Sequence, residues 1–112
     1  IDYINLHGTG TPANDLAEDR AVWSTFGGRT PCSSTKGQTG HTLGAAGITE
    51  AILCAICLQH NFIPGTLHTN RVGSQLKSCV MLQSESRPLR AVISNSFGFG
   101  GNNCSLIFGK RP

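Results

Sequence analysis

The run His41-Thr42-Leu43-Gly44-Ala45-Ala46-Gly47-Ile48-Thr49-Glu50-Ala51-Ile52-Leu53-Cys54-Ala55-Ile56-Cys57-Leu58-Gln59 decides the architecture. Apolar side chains point in nearly every direction around a helix over this span. The pattern predicts a helix from near His41 to about Gln59, buried on most sides, with layers above and below it. Gly44 and Gly47 in its first turns each cost about 1 kcal/mol relative to alanine, which predicts very close approach by another backbone. Glu50 is an awkward carboxylate on so apolar a surface and needs a partner; a salt bridge or backbone amides would satisfy it. The apolar stretch over 43–58 contains Glu50 and is expected to be too short to span a bilayer.

Upstream, Tyr3-Ile4-Asn5-Leu6 reads as a short strand, ended by His7-Gly8-Thr9-Gly10-Thr11-Pro12. Asn14 or Asp15 can cap a following helix, with Leu16, Val22, Trp23 and Phe26 on its buried stripe and Gly27-Gly28 as its stop. Residues 30–35 read as a second strand, and Lys36-Gly37-Gln38-Thr39-Gly40 as a loop into the long helix. Downstream, Phe62-Ile63-Pro64-Gly65 starts an irregular crossing. Residues 78–83, 90–94 and 103–108 then read as three strands, the last two joined by Ser96-Phe97-Gly98-Phe99-Gly100-Gly101-Asn102. The order β-α-β-α-β-β-β is an α/β arrangement with an antiparallel finish.

Composition narrows the function classes. The chain has 112 residues, 13% of them charged, with 14 glycines. That is about half the usual charge and twice the usual glycine, as expected when some faces are meant to be covered. The net charge of +3 is modest, and Arg87, Arg90, Lys110 and Arg111 form no dense basic run, so no nucleic-acid partner is expected. Five cysteines (Cys32, Cys54, Cys57, Cys79, Cys104) have no disulfide-scaffold spacing and predict buried free thiols in a reducing, cytoplasmic compartment. Cys54-Ala-Ile-Cys57 lies mid-helix without a second pair, which argues against zinc or redox chemistry. With Ile1-Asp2-Tyr3 starting directly on a strand, no signal peptide and no membrane association are expected.

Three polar, glycine-rich loops each follow a strand, where α/β sheets bind ligands. They offer His7, then Lys36 and His41, then the phenylalanine-glycine turn. An imidazole at a helix N-terminus is disfavoured from protonating and can donate a hydrogen bond as a neutral group. A plain capping role for His41 fits the same spacing.

The words of those loops carry a resemblance. His7-Gly8-Thr9-Gly10-Thr11-Pro12, Ser34-Thr35-Lys36-Gly37-Gln38-Thr39-Gly40-His41 with Leu43-Gly44-Ala45-Ala46-Gly47, and Asn95-Ser96-Phe97-Gly98-Phe99-Gly100-Gly101-Asn102 together resemble the β-ketoacyl–acyl-carrier-protein synthases of fatty-acid and polyketide synthesis. The resemblance implies that residues 1–112 are the C-terminal half of a thiolase-like α/β fold, a mixed sheet packed on a buried central helix and incomplete on its own. It implies an acyltransferase reaction, the decarboxylative Claisen condensation of an acyl thioester with malonyl–acyl-carrier protein.

It also implies roles. His7 and His41 would hydrogen-bond the malonyl thioester oxygen. Lys36 would hold their network in its working tautomer, with Glu18 as its carboxylate partner. Thr9 and Thr11 would bind the phosphopantetheine arm, which arrives on the acyl carrier protein, so no cofactor is required. Phe99 would supply an oxyanion amide and, with Phe97, gate the acyl pocket. A monovalent-cation pattern falls on Asn5, Glu50, Ser94 and Asn95. The acyl-carrying cysteine would lie in an N-terminal half outside this chain, which is therefore expected to be an inactive fragment or excised domain. It would pair as a homodimer or heterodimer of synthase subunits in the intact protein. Cys32-Ser33-Ser34 imitates the nucleophile element but sits on the strand leading to Lys36, with no helix start to activate it.

Two other readings compete. A non-elongating subunit, a chain-length factor or decarboxylase paired with an active synthase, would share this pattern. A nucleotide-binding module is disfavoured, because Gly98-x-Gly100-Gly101 lacks the GxGxxG spacing, precedes a strand, and no Walker lysine motif exists.

Overall fold

The structure, a computed structural model, describes residues 1–111. Its strands are β1 (Tyr3–Asn5), β2 (Pro31–Ser33), β3 (Phe62–Ile63), β4 (Cys79–Val80), β5 (Glu85–Ser86), β6 (Ala91–Phe97) and β7 (Asn103–Gly109); its α-helices are α1 (Pro12–Phe26), α2 (Lys36–Thr39) and α3 (Ala46–His60). Five strands form one sheet in the order β4-β2-β1-β6-β7. β4, β2, β1 and β6 run parallel, and β7 returns antiparallel, the antiparallel finish that the sequence pattern predicts. Strand β1 is central, so any further strand of this sheet can join only at the β4 or β7 edge.

The two faces of the sheet carry different cores. Tyr3 and Val92 pack with Cys54, Cys57, Leu58, Ile63 and Leu89 on the α3 side. Ile4, Cys32 and Ile93 pack with Val22 of α1 on the other. Because successive strand residues alternate between faces, Asn5 and Ser94, two residues beyond Tyr3 and Val92, face α3; Asn95 faces α1.

Helix α1 begins with Pro12 at N1, where the missing N–H is one that no turn could use. Thr11, rather than Asn14 or Asp15, holds the N-cap position, and Asp15 sits in the first turn at the positive end of the dipole. Gly27 ends the helix at φ 66°, its N–H on the Trp23 carbonyl. Trp23 is 43% exposed rather than core, its ring lying beneath the Lys77 ammonium.

The long helix departs from expectation at both its start and its outer side. Gly40 (φ 75°) and Leu43 (φ 54°) break any helix there, and a 3-10 turn over Leu43–Ala45 precedes α3. Among the described residues no backbone approaches Gly44, and only the Ser96 side chain comes near Gly47. One face of α3 is buried through Ala46, Glu50, Ala51, Cys54, Cys57 and Leu58, whereas Ile48, Ile52 and Ile56, one turn apart, are 63%, 54% and 47% exposed. One of the two layers expected around this helix is present among the described residues. Counting the 3-10 turn, Leu43–His60 reaches 18 residues at a mean hydropathy of 1.4, enough by length and composition to cross a membrane. By length and composition the expectation that it is too short therefore does not hold; its inner face packs on the sheet and carries the buried ion pair of Glu50 with Lys36. The cysteines are free, with Cys32, Cys54 and Cys57 buried, but Cys104 on β7 is exposed, unlike the expected buried thiol.

Candidate active site

His7 leaves the end of β1 on the α3 side of the sheet, and the chain turns away sharply behind it. Gly8 makes that turn at φ 45°, and a Cβ there would lie 2.4 Å from the Ser34 Cβ, so only glycine fits. The Ser34 hydroxyl donates to the Gly8 carbonyl at 2.6 Å. On the other side of the turn, the Glu18 carboxylate accepts the N–H groups of His7 (2.8 Å) and Gly8 (2.9 Å).

Lys36 opens α2 rather than lying in a loop, and its side chain is nearly buried. Its ammonium has three hydrogens and no acceptor. One goes to the His7 carbonyl (2.5 Å), one to His7 Nδ1 (3.3 Å), and one to Glu50 Oε1. The carboxylate partner of Lys36 is therefore Glu50, not Glu18. Glu18 stands on the opposite face of the sheet, where the Asn95 amide also donates to it at 3.2 Å. Burial holds the Glu50 carboxyl above its ordinary range against the pull of Lys36 and His41, and burial likewise raises Glu18 despite its four hydrogen-bond donors.

These contacts set the state of His7. Burial first, then the charges of Lys36 and His41, lower its pKa to about 4, so it is neutral near pH 7. With Nδ1 accepting from an ammonium, the ring proton lies on Nε2. His41 does not sit at a helix N-terminus, and the dipole argument for it fails; it lies in the irregular turn five residues before α3. Its Nδ1 accepts the Leu43 N–H at 3.2 Å, which again leaves Nε2–H as the free donor. The two rings meet edge to face, centroids 5.4 Å apart, and Phe97 packs on His7 at 5.4 Å.

His7, His41, Phe97 and Phe99 line one cleft of about 420 Å³ together with the 3-10 turn and the start of β7. Phe97 is half-buried, whereas Phe99 is 96% exposed at the tip of a turn closed by the Gly98 N–H on the Asn102 carbonyl. Thr9 and Thr11 join hydroxyls at 2.9 Å near the surface, outside that cleft.

The four residues of the cation pattern divide. Among the described residues, three buried side-chain oxygens lack any hydrogen-bond partner: Asn5 Oδ1, Ser94 Oγ and Glu50 Oε2. Asn5 and Ser94 are register partners in the sheet, and Glu50 sits on the face of α3 that covers them. Such orphaned oxygens suit a hard cation. Asn95 does not join them; its side chain lies on the other face, bonded to Glu18 and to the Ser105 hydroxyl. Cys32, which imitates a nucleophile in sequence, is fully buried in β2 with its thiol pushed up to about 12 by burial.

Residues 1–70 match the sequence profile of the family described as beta-ketoacyl synthase, C-terminal domain. The chain belongs to the β-ketoacyl synthase family. It is 43% identical over 112 residues to 3-oxoacyl-[acyl-carrier-protein] synthase 1 of Escherichia coli K12, an alignment covering 98% of this chain and 28% of that protein. The Haemophilus influenzae Rd counterpart is 46% identical over 111 residues, covering 96% and 27%. Among solved structures, the ketosynthase ApeO in complex with its chain length factor ApeC from Xenorhabdus doucetiae is 51% identical over 97% of this chain and 28% of that one, with a TM-score of 0.90. A beta-ketoacyl synthase from Burkholderia phymatum covers the whole chain at 38% identity, again 28% of the solved chain, with a TM-score of 0.95. This β-ketoacyl synthase chain thus spans a little over a quarter of the length of its relatives, and its thiolase-like fold is that of their matching part.

Proposed function

We propose that this chain supplies the malonyl-decarboxylating part of a 3-oxoacyl–acyl-carrier-protein synthase. The observation that carries the reading is the fixed tautomer of both histidines: His7 and His41 each have Nδ1 occupied and Nε2–H free, side by side on one cleft. A malonyl thioester seated there loses carbon dioxide when the electrons of its C–C bond pass into an enolate. The two Nε2–H groups bond the enolate oxygen where charge develops, a contribution of about 3 kcal/mol per donor. The enolate carbon then attacks the acyl thioester carbon, and the thiolate of the acyl-carrying residue, outside this chain, departs. Lys36 acts by holding His7 at its carbonyl and Nδ1. Thr9 and Thr11 take the phosphopantetheine arm, and the Phe99 amide and ring serve the acyl side of the cleft.

The acyl carrier protein is the proposed partner, in keeping with the substrates named for the relatives, and the exposed Ile48-Ile52-Ile56 stripe of α3 is the proposed seat of the N-terminal half. A monovalent cation at Asn5 Oδ1, Ser94 Oγ and Glu50 Oε2 would supply positive charge behind the His7 network. The runner-up is a non-elongating partner subunit, since a solved neighbour is a ketosynthase/chain length factor; the intact His7–Lys36–His41 set favours the elongating enzyme. The test is decarboxylation of malonyl–acyl-carrier protein by the full-length protein. His7→Ala and His41→Ala are each expected to slow it about 100-fold or more, and unchanged rates in both would overturn the assignment.

A further inference from the structure

The peptide of His7 is gripped from both faces of the sheet. Its carbonyl accepts the Lys36 ammonium on the α3 side. Its N–H points the other way, to Glu18 Oε1 at 2.8 Å, and the N–H of Gly8 follows it to Glu18 Oε2 at 2.9 Å. What holds Glu18 therefore decides where this peptide lies. A glutamate side chain is long and rich in rotamers, so helix α1 alone does not fix its carboxylate. Asn14, on the same helix, reaches Oε2 only at 3.4 Å and shares its amide with Asp15. Asn95 comes instead from the sheet. Its Nδ2 donates at 3.2 Å to Oε1, the oxygen that also takes the His7 N–H, and both Glu18 and Asn95 are buried.

The carboxylate sets the direction of this amide. It has no hydrogen to give, and each of its oxygens already accepts a backbone N–H, which can only donate, so the NH₂ end of Asn95 faces Glu18. Oδ1 then accepts the hydroxyl of Ser105, its register partner on β7, at 2.8 Å. One chain of hydrogen bonds runs from Ser105 on the edge strand through Asn95 and Glu18 to the His7 peptide.

We propose that Asn95 is a positioning residue for His7: through Glu18 it fixes the peptide from which the imidazole extends, on the face opposite to Lys36. The inference rests on the decarboxylating role proposed for His7. Asn95 does not line the cleft that His7 and His41 share. The effect of its side chain has to pass through Glu18 or through its chain neighbours Ser96 and Phe97, and experiment separates the two routes.

The experiment measures decarboxylation of malonyl–acyl-carrier protein by the full-length protein carrying Asn95→Ala, Glu18→Ala, both together, or His7→Ala. Asn95→Ala is expected to lower kcat about 10-fold or more with KM within about twofold, as when a reacting group is displaced while substrate binding survives. Adding Asn95→Ala to Glu18→Ala is expected to cost less than about twofold more, because each change breaks the same chain. Losses that multiply in full put the influence of Asn95 on the Phe97 route and overturn the relay, as does an Asn95→Ala rate within about twofold of wild type. An unchanged rate in His7→Ala overturns the role of His7 and this inference with it; a slowed His7→Ala beside an unaffected Asn95→Ala overturns the relay alone. If Asn95→Ala does not fold, Ser105 on the exposed strand makes the comparison. Ser105→Ala is expected to lower kcat about 3-fold, the worth of one hydrogen bond, and Ser105→Thr, which keeps the hydroxyl, to match wild type; equal rates in the two overturn the relay.

Discussion

Lys36 and Glu50 form a buried ion pair between the first turn of α2 and the sheet-facing side of α3. It joins the two elements that flank His41 and ties both to the backbone of His7. A pair so placed contributes position more than stability, because two charges withdrawn from water recover little more than their desolvation cost. Removing one partner is different, since it leaves the other charge buried alone. Lys36→Met is expected to destabilise the full-length protein by about 3–5 kcal/mol. Lys36→Met with Glu50→Leu should recover much of that loss without recovering malonyl decarboxylation. Urea unfolding of the two variants, set against their decarboxylation rates, separates position from stability; recovery of both together would sink the assignment.

The neutral state of His7 predicts an acid limb. Its folded pKa of about 4 lies below its ordinary 6.5, so between those values the unfolded chain binds a proton that the folded chain refuses. The corresponding stability is fully present above about pH 6.5 and is lost as pH falls toward 4. Glu18 and Glu50, raised by burial, act in the opposite sense, their share falling as pH rises through their folded pKa values. Wild type should therefore be compared with His7→Gln. The wild type is expected to lose more stability than the variant between pH 6.5 and 4, and parallel curves in thermal unfolding would contradict the shift.

Much of this was legible in the residues. Tyr3, Ile4 and the run from Ala91 to Ser94 show their strands by β-branched and apolar content, although β6 continues to Phe97 where the sequence reads the connecting loop, and three strand-end loops point to one edge. The partner of Lys36 was not legible. Glu18 lies eleven residues after His7 and looks adjacent, yet α1 packs on the face of the sheet opposite to Lys36, and the side to which a crossover helix returns is a tertiary fact. Likewise, nothing local in His41-Thr42-Leu43 announces the positive φ at Leu43 that delays α3 and removes His41 from its dipole. Asn95 follows Ser94 by one strand position, which in a sheet turns its side chain to the other face, toward Glu18 and Ser105.

Gly8 offers a steric test of the His7 turn. Alanine there would place its Cβ 2.4 Å from the Ser34 Cβ at a φ of 45°, and the Ser34 side chain cannot withdraw without releasing the Gly8 carbonyl it bonds. Gly8→Ala is expected to destabilise by about 1–3 kcal/mol and to slow decarboxylation more than Gly10→Ala. Gly10 has an open surrounding despite its own positive φ, so equal effects from the two variants would argue against the close contact as the cause.

Cys32 tests whether a sequence likeness to a nucleophile has any chemical content. It is fully buried and its thiol titrates only near 12, so essentially no thiolate exists at neutral pH to attack a thioester. Among the described residues the one polar contact of its thiol, to the Cys79 carbonyl at 3.4 Å, is a bond that a serine hydroxyl can also make. Cys32→Ser in the full-length protein is therefore expected to keep condensation within about twofold of wild type and to cost no more than about 1–2 kcal/mol in unfolding. Mass spectrometry after reaction with an acyl–acyl-carrier protein should find no acyl group on the peptide containing Cys32; an acylated Cys32 would transfer the nucleophile to this chain and reverse the division of labour proposed for it.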